Sequence, residues 1–472
     1  MITVDANQSA ADTAYVTAHD SQHDGVQPPG SSASASKAPV PACHQARTPA
    51  FAHVSQLAEL MAETRKYPQG VSRADLCETL TLGRNAVDRR LKTAIGLGLL
   101  IPAGRGMSTG GRAPEMWRFN PAVATILVLS ISYRSSTVAL TDLSGTIIDQ
   151  IHWEEGILSD PHTVTAHALE HLGALHDRHP ELPPAWGLGV SIPTTVDFRD
   201  GSLIAPATAR TGGASDTLSW TGFPLRSRLA RALNLPVWID DEVNVLALAA
   251  AKRIGAPEDL LYVRLSLGLG MGIVSHGQVH RGAAAASGEI AHIQMTGSGG
   301  RSCRCGRKGC LETALSGGAL EDAAVTPQAL KRSPYLRRLD ENGGIRCEHV
   351  FCGAAEGDPV CVRLLTEAAD RLSVVLAVLT TTYNPGEVVL GGGVAQAGEF
   401  FSRAVGQALR RRVLPATSER LRVRMGDEDD ALKGACRMVT DALLSAHVMH
   451  VWLPYGSPVG VAELVTHRRQ DA

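Results

Sequence analysis

Apolar residues recur at helical spacing through the stretch that begins near residue 51. In VSQLAELMAET, Val54, Leu57, Leu60 and Met61 fall on one helix face, and SRADLCETL follows as a second helix with Ser72 placed to cap it. A third helix is expected from about Arg84 to Ile95, with Leu82, Val87, Leu91 and Ile95 inward and Arg84, Asn85, Asp88, Arg89 and Lys92 outward. GLGLLIPAG and EMWRF then read as two strands joined through the glycine-rich tip MSTGGRAP. Three helices closed by a hairpin describe a winged helix-turn-helix, placed at residues 51–120.

Beyond Pro121 strands and helices alternate. ATILVLSIS, STVALTDLSG and TIIDQIHWE predict an antiparallel meander, followed by a helix near 161–178 and a strand in WGLGVSI. PVWIDDEVNVLALAAAKRI reads as strand, loop and helix, and LLYVRLSLGLGMGIVSHGQVH opens a second meander. The order of elements repeats, so residues 121–445 are expected to form two similar α/β lobes with a cleft between them. Residues 1–50, rich in Ala, Ser, Pro, Gln and His without apolar periodicity, read as a disordered arm. Residues 446–472 read as an extension local to the C-terminal lobe.

Composition refines this picture. A chain of 472 residues exceeds the usual domain length of about 100–200, so several folded units are expected. Aromatics at 4% and 47 glycines point to an Ala/Gly/Val-rich α/β protein. The net charge is only -2, yet residues 51–120 carry ten basic side chains against six acidic ones, a local +4 that suits a phosphate backbone. No apolar run approaches the roughly 18 residues of a membrane span, and the first residues lack the order of a signal peptide, so a cytoplasmic protein without membrane contact is expected. In that compartment the nine cysteines read as thiols or metal ligands.

Two constellations carry chemistry. The outer face of the third helix follows a second helix after a short turn and precedes a glycine-rich wing, the setting in which a helix enters the major groove, where Arg reads guanine and Asn reads adenine. Arg73, Arg84, Asn85, Ala86, Arg89, Arg90, Lys92 and, on the wing, Arg112 are the candidate contacts to double-stranded DNA. The plain alternative is a solvated basic surface. The second constellation is GEIAH followed by CRCGRKGCLE, in which His292, Cys303, Cys305 and Cys310 make a closed set of one imidazole and three thiolates suited to structural Zn²⁺. Its task would be to hold His292, and with it Glu289, at the cleft; a metal-free thiol cluster is the alternative.

GLGMGIVSHGQVHRGAAAASGEIAH, the CxCGxxGCLE cluster and YNPGEVVLGGGVAQAG together resemble the ROK family of repressors, open reading frames and sugar kinases. The resemblance spans about residues 68–445 and implies an actin-like, ribonuclease-H-like two-lobed fold, a sugar in the cleft, ATP beside it in kinase members, and a zinc site of one His and three Cys. It also implies sugar contacts at Asp241, Glu242, Asn244, Glu289, His292 and Glu312. Kinases of the family carry a DxGxT phosphate loop, where this chain has Ser130, Ser132 and Arg134, and an ENDAN segment whose Asp is the catalytic base, where it has Glu242. Asp241 stands in place of Asn, Ala291 in place of the usual Gly, and SIPTTVD in place of the commoner GVPGPVD. The Glu-x-Asn form resembles the xylose-repressor branch.

The expectation is therefore a sugar-responsive repressor of carbohydrate genes: a winged helix on operator DNA, and a kinase-like body without catalytic residues that senses a sugar and forms a homodimer or higher homo-oligomer. An active, glucokinase-like ROK kinase and a DNA-binding protein with a purely structural body are the alternatives.

Overall fold

The computed structural model describes residues 50–107, 113–204, 220–253, 255–295, 300–303, 305–427 and 429–466. The 1–50 arm up to residue 49, the loop tip at 108–112 with Arg112, and residues 467–472 therefore lie outside the described residues.

The chain opens with helices α1 (Phe51–Thr64), α2 (Arg73–Thr79) and α3 (Arg84–Gly96) and strands β1 (Val71–Ser72), β2 (Leu100–Arg105) and β3 (Glu115–Phe119), the strands pairing in the order β1-β3-β2. Val54, Leu57, Leu60 and Met61 are all buried, as the apolar spacing requires. Ser72 starts α2 through a capping box: its hydroxyl accepts from the Asp75 N–H, and the Asp75 carboxylate accepts from the Ser72 N–H. On α3 the burial differs from the expected stripe. Val87 and Leu91 are buried, but Ala94 takes the place expected of Ile95, which is 37% exposed, and Leu82 is only partly buried. A 3.6-residue period places positions 87, 91 and 94 on one side, and the small Ala94 lets the helix lie close.

The next elements are β4 (Thr125–Ile131), β5 (Ser136–Asp142), β6 (Ile147–Trp153), α4 (Pro161–Arg178), β7 (Ala185–Ile192), the short pair β8 (Val196–Asp197) and β9 (Ser202–Leu203), α5 (Leu225–Leu233), β10 (Val237–Asp241) and α6 (Glu242–Ala251). They build a five-stranded sheet in the order β10-β7-β4-β5-β6. Its central strand TILVLSI is buried on both faces and nearly all apolar, whereas the edge strand β6 alternates. β10 passes directly into α6 with no loop between them, because the Asp241 carboxylate accepts from the Val243 N–H and caps the helix where the strand ends.

The second half repeats this plan. β11 (Leu260–Leu265), β12 (Leu269–Ser275), β13 (Gln278–Val279), β14 (Glu387–Gly391) and β15 (Arg422–Met425) form a sheet in the order β13-β12-β11-β14-β15. In each sheet the first strand is central, an antiparallel meander lies on one side and two parallel strands on the other. Six helices the apolar pattern did not resolve fill the stretch between β13 and β14: α7 (Glu312–Leu315), α8 (Gly317–Ala324), α9 (Pro327–Arg332), α10 (Pro334–Glu341), α11 (Cys347–Ala355) and α12 (Pro359–Tyr383). Asp358 caps α12 at its start, and Asn384, left-handed at φ 49°, ends it. α13 (Glu399–Arg410) and α14 (Pro415–Ser418) lead to β15.

The last helices, α15 (Asp430–Leu443), α16 (Ala446–Trp452) and α17 (Ala462–Thr466), return to the first half of the molecule. α15 packs on β4, β7 and α6, and Gly434 is the point of closest approach, where a Cβ would collide with the Val245 carbonyl on α6. α16 packs against α1, and buried Trp452 lies 5.7 Å from Trp186 of β7 and donates to the Leu443 carbonyl. The tail thus belongs with the first lobe and the N-terminal helices. An extension of the C-terminal lobe was the expectation; the apolar side of α16 instead finds its cover on α1. Among the described residues no helix is long and apolar enough to cross a membrane.

One ionic contact ties the N-terminal helices to the body. Arg65, which ends α1, gives Nη1 to Asp441 of α15 at 2.7 Å, and Arg437 Nε reaches the same oxygen at 2.8 Å. Burial works to raise the Asp441 pKa, but Arg65, Arg437 and Lys252 outweigh it, so the carboxyl titrates below its ordinary value. A lowered folded pKa stabilises the protein above the unfolded value of about 3.9, and this stabilisation is lost as pH falls through the folded value. Asp441→Asn is expected to lower the unfolding midpoint at neutral pH by an amount that holds down to about pH 5 and shrinks below about pH 4. Chemical denaturation at a series of pH values checks this, and a gap that widened on acidification would contradict it.

Candidate functional site

Where β10 runs into α6, three successive carboxylates and, beyond Val243, Asn244 are set at the junction of the two sheets. Asp240 is buried and accepts from Arg281 at 2.8 and 2.6 Å and from the Asn244 side-chain amide at 2.9 Å. Asp241, the cap of α6, is partly buried. Glu242, in the first turn of α6, is buried and meets Arg264 of β11 with Nε 2.9 Å from its carboxylate, both side chains 6% exposed. Ser132, at the end of β4, donates to Glu242 at 3.3 Å and accepts from Arg264 at 3.4 Å. Burial works to raise the Glu242 pKa and Arg264 counters it; burial likewise works against the Arg264 charge, and Glu242 restores it. The net result is a raised Glu242 pKa, burial prevailing over Arg264, and a raised Arg264 pKa, Glu242 prevailing over burial.

The Tyr133 ring lies 5.3 Å from the Arg264 guanidinium, and its hydroxyl rests against Gly268 in the turn between β11 and β12, where a Cβ would collide with it. Tyr133, Glu242 and Arg264 line a cavity of about 70 Å³ together with Thr195, Asp241 and Glu289. Glu242 and Arg264 also border a larger cleft of about 470 Å³, whose wall includes Ser130, Gln396, Asp427 and Asp429. The ion pair therefore lines both spaces.

On the small cavity Glu289 is exposed and accepts from the Thr195 hydroxyl at 3.0 Å. Burial and then the Glu289 charge push the Asp241 pKa well up. His292, in a short 3-10 turn, lines the same cavity and turns Nδ1 toward the thiols: Nδ1 is 3.5 Å from Cys303 Sγ, and Cys305 and Cys310 Sγ are 3.6 Å apart. All four donor atoms lie within 4.8 Å of one another. A tetrahedron with metal–sulfur bonds of about 2.3 Å has edges of about 3.8 Å, so the donor set is compatible with a four-coordinate ion after at most small side-chain shifts. Burial pushes the Cys303 thiol up to about 12, whereas bonds from Arg307 and the neighbouring thiols overcome burial and bring Cys305 to about 7. Glu312 starts α7 with Oε2 3.6 Å from Cys303 and 3.9 Å from His292, which sets it on the thiol side of His292.

The six positions expected to touch a sugar thus divide. Asp241, Glu242, Asn244, Glu289 and His292 share the small cavity, with Glu242 spent on Arg264 and Asn244 on Asp240. Glu312 adjoins the metal-ligand group instead. Arg264 and Tyr133 escaped the sequence reading, although a single arginine inside the apolar strand LLYVRL is a signal that it has a buried partner.

On α3, Arg84, Asn85, Arg89 and Lys92 are exposed and Ala86 is partly buried. Arg73 is exposed and pairs with Asp88 at 3.0 Å. Arg90 departs from the expectation of a DNA contact: it is buried and donates to the Gln56 side chain on α1 at 2.8 Å, because three residues past Val87 it falls on the packed side of the helix.

Residues 131–442 match the ROK family. The chain belongs to the ROK family. It is 27% identical over 383 residues to a xylose repressor of Caldicellulosiruptor bescii, covering 79% of this chain and 93% of that one. It is 29% identical over 236 residues to a glucokinase of Halalkalibacterium halodurans, covering 49% of this chain and 69% of that one. The crystal structure of a ROK family transcriptional regulator, homolog of the E. coli MLC protein, superposes with a TM-score of 0.68 at 20% identity, covering 85% of this chain and 98% of that one. The ROK body is thus an actin-like sugar-kinase fold, with two mixed sheets and a region of helices ahead of them.

In this ROK body the buried Glu242–Arg264 pair carries a measurable cost. Removing one member of a buried ion pair leaves the other charged and unpaired, worth about 3–5 kcal/mol, whereas replacing both by apolar groups is far milder. Arg264→Met is expected to lose stability on that scale, and Arg264→Met/Glu242→Leu to recover most of it, measured by guanidinium denaturation. Equal losses in the single and double variants would mean that the two charges do not act as a pair.

Proposed function

We propose that the chain is a sugar-responsive transcriptional repressor without kinase activity. Residues 51–120 serve as a winged helix-turn-helix on operator DNA, residues 121–445 as the ROK sensor, and residues 446–472 as an extension that backs α1. The observation that carries the non-enzymatic part is the Glu242–Arg264 pair. Phosphoryl transfer needs a carboxylate free to take a hydroxyl proton, with ATP and sugar in one continuous space. Here the carboxylate is spent on a guanidinium, and the pair borders both the small cavity and the larger cleft. The substitutions at Ser130, Ser132 and Arg134 support the same reading.

DNA binding is supported by the exposed Arg84, Asn85, Arg89 and Lys92 on one face of α3, by the local +4 charge, and by the repressor-named relative. Arg73 remains a candidate for phosphate contact once released from Asp88, and Arg112 for the wing. A homodimer would read a palindromic operator with half-sites about one or two helical turns apart. Structural Zn²⁺ at His292, Cys303, Cys305 and Cys310 would fix the turn that carries Glu289 to the cavity; the chemistry it supplies is rigidity, since no coordination position stays open.

Release of DNA requires that the sugar bind the DNA-competent and incompetent states unequally, and a difference of about 1–3 kcal/mol gives roughly 5- to 150-fold. α6 offers the route. Its first turn walls the cavity, its side packs on α15, and α15 holds Arg65 of α1 through Asp441.

Fluorescence anisotropy against DNA from the gene's own upstream region, at fixed salt, tests the repressor. Specific binding weakened by one sugar is the expected result, with Arg84→Ala/Arg89→Ala losing most of the affinity. Binding indifferent to every sugar would reduce the body to a scaffold, and sugar-dependent ATP turnover abolished by Glu242→Gln would overturn the non-enzymatic reading. For the metal, about one zinc per chain is expected, with Cys305→Ser lowering both zinc content and thermal stability. Full zinc retention in that variant would place the ligands elsewhere.

A further inference from the structure

We propose that Asp88 sets a base preference of the operator: on DNA its carboxylate gives up Arg73 and accepts a hydrogen bond from the exocyclic amino group of a cytosine or adenine in the major groove. The inference rests on the reading of α3 as the recognition helix and adds which residue discriminates between bases and by what chemistry.

Asp88 is the one acidic residue among the thirteen of α3, set with Arg84, Arg89, Arg90 and Lys92. It stands four residues after Arg84, three after Asn85 and four before Lys92, so it shares their side of the helix. Arg84, Asp88 and Lys92 wall one hollow of about 960 Å³ between α2, α3 and β3, with Arg73 and Glu78 of α2 and Glu115 of β3 also on its walls. Three cations there face three carboxylates, so the hollow offers a polyanion no net attraction of its own. Charge-driven affinity must come from the rest of the basic surface. What an acid on α3 supplies is discrimination.

An ionised carboxylate has acceptors and no donor, and phosphate oxygens likewise only accept. The donors that a duplex presents in its major groove are the amino groups of cytosine and adenine, whereas guanine offers O6 and N7 and thymine O4 as acceptors. An Asp on this face is therefore repelled by the backbone and by a guanine or thymine edge, and is satisfied over cytosine or adenine.

In the free protein that acceptor is covered. Arg73, the first residue of α2, reaches both Asp88 oxygens with a single nitrogen, Nη1, at 3.0 and 3.3 Å. Nε and Nη2 take no part in the contact, and the two side chains are 47% and 44% exposed. An exposed contact of this kind is weak and readily exchanged. On DNA both partners have a stronger use, the guanidinium on a phosphate and the carboxylate on an amino group. Over cytosine or adenine the exchange leaves every group paired. Over guanine or thymine Arg73 reaches the phosphate only by leaving Asp88 charged among acceptors, so the wrong base sacrifices one contact or the other.

The test is selection from a randomised double-stranded DNA library by the full-length protein, followed by fluorescence anisotropy at fixed salt on the selected site and its single-base variants. One position of the site is expected to favour cytosine or adenine by about fivefold or more, and Asp88→Ala to flatten that position to within about twofold while preferences elsewhere persist. Arg73→Ala is expected to weaken binding to all sequences alike and to reduce the salt slope by about one, with the preference at the Asp88 position kept. The thermal midpoint checks that each variant is folded. Should Asp88→Ala not fold, Asp88→Asn reads the same position, and should admit guanine or thymine there because its amide also donates. Preferences unchanged at every position in the Asp88 variants, or affinity shifted alike for every sequence, would overturn the inference and leave DNA binding standing. Selection of no sequence by the unaltered protein would overturn both.

Discussion

Two opposite charges lie out of water where the halves of this molecule meet, and neither can be left alone. Glu242 comes from the first turn of α6 and Arg264 from the centre of β11, 22 residues later in sequence and in the other sheet. Taking either charge from water costs several kcal/mol, which only its partner offsets. The contact therefore exists only when both lobes are in place, and it sets how closely they approach. Ser132 and Tyr133, just past the end of β4, complete the same junction through the Ser132–Glu242 bond and the Tyr133–Arg264 contact. Glu242 and Arg264 thereby border both the smaller cavity and the larger cleft beside it.

Everything else near the cavity hangs on α6. The helix has ten residues and spans about 15 Å, with Asp241, Glu242 and Asn244 at the cavity and Lys252 close to Asp441 at the other end. Its neighbour α15 touches it where Gly434 admits the Val245 carbonyl, a contact with no side chain to absorb a shift. Close-packed contacts of this kind move as units. α6, α15 and the Arg65–Asp441 pair that holds α1 thus form one continuous line of contacts from the cavity to the N-terminal helices. Coupling energy still requires two arrangements that the ligand tells apart; packing supplies only the connection.

The His/Cys cluster, which could hold a metal ion, performs a different service. Four donors drawn from a stretch of 19 residues are brought within 4.8 Å, and the same turn delivers Glu289 to the cavity mouth. A closed metal site is a rigid staple that needs no large apolar core, which suits a loop that must reach across a cleft. His292 is consequently oriented by the thiols and has little freedom to serve the cavity with Nδ1.

The sequence alone determined what depends on neighbours along the chain. The face of α1, the Ser72 cap, the two meanders, the repeated order of elements and the His/Cys ligand group are all local patterns, because helix and strand periods and metal-ligand spacings are short-range. The departures at Ser132, Glu242 and Asp241 were equally legible as letters. Their consequences were not, since these depend on partners far away in sequence: Arg264 for Glu242, Arg281 for Asp240, Asp441 for Arg65. Arg90 and Ile95 were misplaced for the same reason, their facing being decided by α1 and by how closely Ala94 lets α3 pack. α16, too, could be assigned to its place against α1 only once the fold had closed, because an amphipathic helix announces that it needs cover but not which surface provides it.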